Sequence, residues 1–336
     1  MSRPPLTLDP VTTLDSPPQT SEQTPDLRRR RVVGLAIWAV AFGVFVAFVG
    51  IPTSDPLEAF GWLWAATIAW RSHQPWRQHL IFLRDWLPVV ALLEVYNVTR
   101  GSADRFFAPH VTPMIHFDEW MFGRLTGGRI PTVWLQQHLY HPGHVQWWEV
   151  IVTLIYTSHF LTVPTVAVLL WLRNRQLSYR FMRRWVVLSV AGLATYFLYP
   201  AAPPWWAWQR GYLADPVARI STDGWSALGL HSAGNTLNAF LADQSKLVAA
   251  MPSLHTAYAM MAVAFFLPMV RRRWWPLLFA YPLAMTFTLV YTGEHYVADV
   301  LVGWLYVALT FAGVHYAERW WARRSERKRA LGCPGD

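Results

Sequence analysis

At 336 residues, with 54% hydrophobic and 15% charged side chains and 21 tryptophans, the chain is too apolar and too aromatic for an ordinary soluble domain. Its net charge of +9 argues for a nucleic-acid partner only where the basic residues share one surface, and here they stand in short runs between apolar segments. The one cysteine, Cys333, excludes an intrachain disulfide, so cysteine usage leaves the redox compartment open.

Taken in order, residues 1–27 are rich in proline, threonine and serine and predict a disordered cytoplasmic tail. Apolar segments near 20 residues, the length that crosses ~30 Å of hydrocarbon, then recur. They cover about 32–51, 56–70, 80–99, 147–172, 185–200, 253–270, 274–292 and 295–316. The first is too long for a signal-peptide core, and "GIPTSDP" after it offers no small-residue cleavage site, so it predicts a retained signal anchor. The second is short, and the third carries Arg84 and Asp85, which suit a snorkelling pair near the cytoplasmic surface.

The connections alternate in charge. Arg28 to Arg31, Arg71 with Arg77, "RNRQLSYRFMRR", Arg271 to Arg273 and the tail 317–336 are basic. Placing these inside, as the positive-inside rule requires, gives eight spans with both termini cytoplasmic. The long stretches 100–146 and 201–252 then lie outside, with interfacial material such as "FDEWMFGRL".

Two polar clusters interrupt this pattern. "MPSLHTAYAMM" (251–261) places Pro252, Ser253 and His255 at the head of an apolar run. "YTGEHYVADVLVGW" (291–304) places His295 and Asp299 four apart, one helical face, where a carboxylate can orient an imidazole and make its other nitrogen a better nucleophile. The intervening spans form an antiparallel pair around Arg271–Arg273, each rising ~27 Å, so the chain brings His295 back to the surface that His255 left. Both histidines are expected in the first turn of a helix, where unpaired N–H groups favour an anion. His295 then attacks a phosphate in line and His255 supplies a proton to the departing oxygen. Pro252 suits a first-turn position, and Ser253 either caps the helix or binds a phosphate oxygen.

Each signal has a plainer competitor. His255 alone reads equally as an interfacial histidine bonded within the bundle, and His159 as a satisfied bundle histidine. A His-x-x-x-Asp pair can bind zinc, but no third ligand stands beside it and Glu294 points off the shared face, so no metal is expected. Arg105, Arg124, Arg129, Arg210, Arg219 and Lys246 suit a surface facing headgroups. Most tryptophans suit interfacial anchors, with Trp205 and Trp206 after Pro203–Pro204 as candidate walls of the site.

The residues "PSLH" (252–255) and "HYVAD" (295–299) resemble the second and third signature motifs of the type 2 phosphatidic acid phosphatase superfamily. "YPAAPPWW" (199–206), "TGEHYVAD" and "RDWLPVVALLEVYNVTRG" (84–101) are similar to its inositol phosphorylceramide synthase-like, inositolphosphotransferase branch. The resemblance covers roughly 80–316 and implies a six-helix catalytic core, preceded by two further transmembrane helices in 28–79. It also implies no metal, a phosphohistidine intermediate, His295 as nucleophile, Asp299 as its orienting partner and His255 as acid/base. Two departures stand out. Thr288 and Leu289 occupy the places of the superfamily's Ser-Arg pair, and Leu254 replaces a frequent glycine. Arg84 and Arg100 are 16 residues apart, ~24 Å along a helix, so both cannot reach one phosphate; Arg100, on the outer side, is the expected phosphate ligand.

The expectation is an all-α polytopic helix bundle that acts as a membrane phosphotransferase on a lipid-linked phosphate or phosphoinositol headgroup, with no cofactor. A lipid or polyprenyl phosphate phosphatase on the same scaffold is the alternative, and a proton-relay transporter a distant one. The expected partner is a lipid substrate in the membrane, not nucleic acid. With 27 arginines against 2 lysines and abundant alanine, the composition suggests a bacterial plasma membrane.

Overall fold

The computed structural model describes residues 25–48, 56–99, 107–229 and 248–330. Within them the chain is all-α, with α1 (Pro25–Phe48), α2 (Pro56–Trp70) and α3 (Trp76–Thr99) followed by two short helices, α4 (Thr112–Thr126) and α5 (Pro131–Leu139). Then come α6 (Trp147–Arg173), α7 (Arg175–Leu198), the short α8 (Pro204–Gln209) and α9 (Asp223–Ala227), α10 (Leu254–Phe266), α11 (Trp275–Tyr291) and α12 (Val297–Ala330). A helix lies on every apolar segment expected from the sequence. By length and composition three can each cross a membrane: Trp147–Arg173, Arg175–Leu198 and Val297–Arg327. The expected span at 253–270 is shorter than that, because the α-helix stops at Phe266 and a 3-10 turn finishes it at Met269.

The buried centre is α10, packed against α6, α7, α11 and α12, while α1 to α3 form a row attached through α3 to α7. Alanines make the close approach possible: Ala257 of α10 and Ala167 of α6 are buried among Phe181, Met261 and Phe265, and Ala259 of α10 among Tyr156, Met285 and Leu289. Hydroxyl pairs fix the register between helices, Ser189 to Tyr258 at 2.5 Å and Thr195 to Tyr306 at 2.6 Å.

Asp85 is not the snorkelling partner expected of it. Its side chain is 3% exposed and accepts hydrogen bonds from Trp171 Nε1 at 2.9 Å and Arg175 Nε at 2.8 Å, which ties α3 to α6 and α7. Arg84 also touches it but is 72% exposed, so Arg175 carries the packing role.

Three loop segments run side by side at the end of the bundle where α10 and α12 begin. His110 donates to the Pro200 carbonyl, Ala202 to the His110 carbonyl and Ala250 to the Ala201 carbonyl, all at 2.8–2.9 Å. These bonds join the segments before α4, after α7 and before α10 into one floor.

Candidate active site

The two motifs meet through their backbones. Ser253 N–H donates to the Asp299 carbonyl at 3.0 Å, and Gly303 of α12 lies so close to α10 that an added Cβ would be 2.6 Å from the Ser253 carbonyl oxygen. Absence of a side chain at Gly303 is therefore what lets α12 seat against the head of α10. His255 is the second residue of α10, as expected. His295 is not in a first turn: α12 begins at Val297, and His295 ends the tight turn before it.

His255 and His295 face each other with ring centroids 5.5 Å apart. His295 Nδ1 is 3.4 Å from Asp299 Oδ2, within ion-pair range but longer than a good hydrogen bond. That carboxylate is anchored independently, because Tyr296 N–H donates to Asp299 Oδ2 at 2.9 Å. His295, Asp299 and Ser253 are all buried. Ser253 occupies the N-cap position of α10 without a side-chain cap bond, and its Oγ has no hydrogen-bond partner among the described residues. The capping role expected for Ser253 is absent, which leaves its hydroxyl for a ligand. Pro252 precedes this N-cap and so lies outside the helix, where its carbonyl accepts from Tyr196 Oη at 2.7 Å.

Several side chains differ from their expected places. His159 is no satisfied bundle histidine: its ring centroid is 3.9 Å from that of His255, and its Nδ1 has no partner among the described residues. Trp205 is buried and lies under the Arg219 guanidinium at 4.8 Å, beside the site. Trp206 pairs with Arg210 at 4.9 Å and Tyr212 at 6.3 Å. Thr288 and Leu289 are fully buried in the bundle. Arg100, Arg105 and Lys246 lie outside the described residues.

Arg219 is the residue that sequence reasoning missed. Instead of dressing a surface, its Nε donates to Glu294 Oε1 at 2.8 Å and its second nitrogen to Oε2 at 3.2 Å, a two-pronged pair next to His295. Ser221 Oγ donates to the same Glu294 oxygen at 2.7 Å, so Glu294 points inward. Burial works against the Arg219 charge, but Glu294 and Tyr156 hold the guanidinium above its ordinary pKa. No local pattern marks Arg219, because the contact that places it is remote. The Gln136 amide of α5 clasps Ala218 by both N–H and carbonyl, at 2.8 Å each, and bonds the Tyr291 carbonyl at 2.8 Å.

Asp118 of α4 supplies a second remote contact. It is fully buried and accepts from Val297 N–H at 2.9 Å and Ala298 N–H at 3.0 Å, capping the helix that carries Asp299. Burial pushes its carboxyl from 3.8 up to about 7, opposed by those two bonds and helped by the Asp299 charge. Between these values the folded chain holds a proton that the unfolded chain has released, so this group lowers stability as pH rises through the window. Asp118→Asn removes that slope. Thermal unfolding from pH 5 to 8 should show the wild-type advantage over the variant shrinking with pH, whereas an unchanged advantage would refute the assignment.

Among the described residues no cluster of three or more histidine, cysteine, aspartate or glutamate side chains is placed to hold a metal ion. The arrangement offers an imidazole beside a carboxylate, a second imidazole with its ring centroid 5.5 Å from the first, a buried hydroxyl without a partner among the described residues and a guanidinium.

Comparison with known proteins places the chain among enzymes of one superfamily. The chain is similar to a phosphoinositol dihydroceramide synthase of Bacteroides thetaiotaomicron, with 30% identity over 138 residues, 39% of this chain and 43% of that protein. The chain thus spans less than half the length of the curated relative it matches. No solved structure matches it. The model of the PAP2 superfamily matches residues 131–313, a stretch that contains both histidines, Asp299, Ser253 and Arg219. With more than half of its length matched, the chain belongs to the PAP2 superfamily.

Proposed function

We propose that the protein is an integral membrane phosphotransferase that moves a phosphoinositol or related lipid-linked phosphate group to a lipid alcohol through a phosphohistidine. The observation that carries this reading is the convergence of His255, His295 and Asp299 at the helix mouths, with 5.5 Å between the imidazole centroids and 3.4 Å from His295 Nδ1 to Asp299 Oδ2. With Nδ1 turned to the carboxylate, Nε2 of His295 is the attacking atom. It bonds to phosphorus as the bond from phosphorus to the departing lipid oxygen breaks. Protonated His255 gives its proton to that oxygen. Now neutral, His255 takes the proton of an incoming hydroxyl, whose oxygen attacks the phosphohistidine and frees His295. Apo contacts of 3.4 Å are compatible with this, since catalytic hydrogen bonds tighten as charge develops.

The relative's name joins phosphoinositol to dihydroceramide, which supports a phosphoinositol donor and a long-chain lipid alcohol as acceptor. The replacement of the superfamily's Ser-Arg pair by Thr288 and Leu289 weakens a plain phosphatase reading. In this proposal the chain crosses a bacterial plasma membrane eight times with both termini inside, and the site opens to the outer leaflet. Every short basic loop supports that placement, since the motifs lie at the opposite helix ends.

The test is incubation of the purified protein in detergent with headgroup-labelled phosphatidylinositol, with and without lipid alcohols. Transfer of label to lipid that depends on the added alcohol is expected. Release of water-soluble phosphate at the same rate without any alcohol assigns the protein to the hydrolases and sinks the transferase.

A further inference from the structure

We propose that Arg219 is a phosphate-binding cation of this site and that Glu294 is its resting counter-ion, from which an incoming phosphate takes it over. The proposal rests on the phosphate-transfer reading above and adds the residue that neutralises the group being transferred.

Three observations carry it. The first is position. Glu294 immediately precedes His295, and Tyr156, which hydrogen-bonds to Arg219, stacks at 5.5 Å on the ring of His255. The guanidinium therefore touches groups that flank both histidines. The second is the chemistry of the fork. Two parallel N–H donors on a carboxylate, at 2.8 and 3.2 Å, are the geometry that also grips two phosphate oxygens, and the Trp205 ring lies 4.8 Å from the guanidinium carbon. Ser221 gives Glu294 a second donor at 2.7 Å, so the carboxylate keeps a partner when Arg219 turns to a ligand.

The third is how firmly the loop is held. Gln136 pins Ala218, the residue before Arg219, to the Tyr291 carbonyl, and Gly293 at φ +77° leaves just enough room for Val217 and Ala218 to lie on the turn. A Cβ there would be 2.9 Å from Val217 Cγ1 and 3.1 Å from the Ala218 carbonyl oxygen. A surface arginine needs no such clamp. This one is delivered to the turn that ends in His295, which answers the missing arginine at Leu289.

The experiment measures binding of inorganic phosphate to the purified full-length chain by its effect on thermal unfolding. Glu294→Gln removes the competing anion and should tighten phosphate by roughly 3- to 10-fold. The double variant Arg219→Gln with Glu294→Gln leaves no buried charge unpaired and should weaken phosphate by at least ~10-fold, as for loss of a charge-assisted bidentate contact. A purely structural pair would lower stability in both variants without moving phosphate affinity in opposite directions. Wild-type affinity in the double variant, weaker binding in Glu294→Gln, or no phosphate binding by the wild type would overturn the proposal. No turnover enters the measurement. Full activity of His295→Ala would sink the phosphohistidine while leaving this result to stand by itself.

Discussion

His295→Ala should lose all measurable turnover, a fall on the order of 10⁴–10⁶ in rate, the range seen when a covalent nucleophile is deleted. The atom removed is the one that bonds to phosphorus, and no other described group has the same relation to Asp299. His159, whose ring centroid is 3.9 Å from that of His255, has no hydrogen-bond partner on Nδ1 among the described residues and so no carboxylate to orient it there. Acid and base lability separate the chemistry from mere binding. Wild-type protein quenched during turnover of a phosphate-labelled donor should retain an acid-labile, base-stable label, absent from His295→Ala. Asp299→Asn keeps the Tyr296 N–H contact but loses the charge that orients His295, so it should fall by ~10²–10⁴ and still form label slowly. Full activity of the alanine variant would remove the proposed mechanism.

Gly303→Ala should damage both stability and turnover. Its Cβ would meet the Ser253 carbonyl at 2.6 Å, and that oxygen is backbone and has no rotamer to escape through. Ser253 is also tied through its N–H to Asp299, so α10 cannot yield without dragging the second motif off the third. Overpacking of this kind costs ~1–3 kcal/mol, several degrees of melting temperature in a chain of this size. Because His255 follows two residues later, we also expect turnover to fall by at least ~10-fold as the near-attack geometry is lost. Gly313→Ala on the same helix is the control. Nothing lies within 4 Å of its Cβ, and alanine gains up to ~1 kcal/mol over glycine in a helix. Equal behaviour of the two variants would contradict the packing argument.

What the sequence made legible was what period and spacing encode. Apolar length placed a helix on each expected segment, and the return of the chain around Arg271–Arg273 placed His255 and His295 at one end of the bundle. What stayed hidden depended on contacts between distant residues. Arg219 reads as any loop arginine, because its neighbour Ala218 is held by Gln136 from 82 residues away, and Asp118 acts on backbone 180 residues away. His159 was misread for a related reason, since helical depth was visible but not which ring it would stack upon. Asp85 was misjudged because its main partner, Arg175, is 90 residues distant rather than adjacent.

The Asp118 cap also bears on where the working machine begins. Residues 131–313 are what the superfamily model matches, yet the first turn of α12 is closed by a carboxylate upstream of that stretch. A fragment trimmed to those bounds would keep His255, His295, Asp299, Ser253 and Arg219 and still leave two N–H groups open beside Asp299. The matched stretch is thus smaller than the unit of mechanical integrity. Grafting the signature motifs onto another bundle would need an acid arriving from outside them to finish the helix.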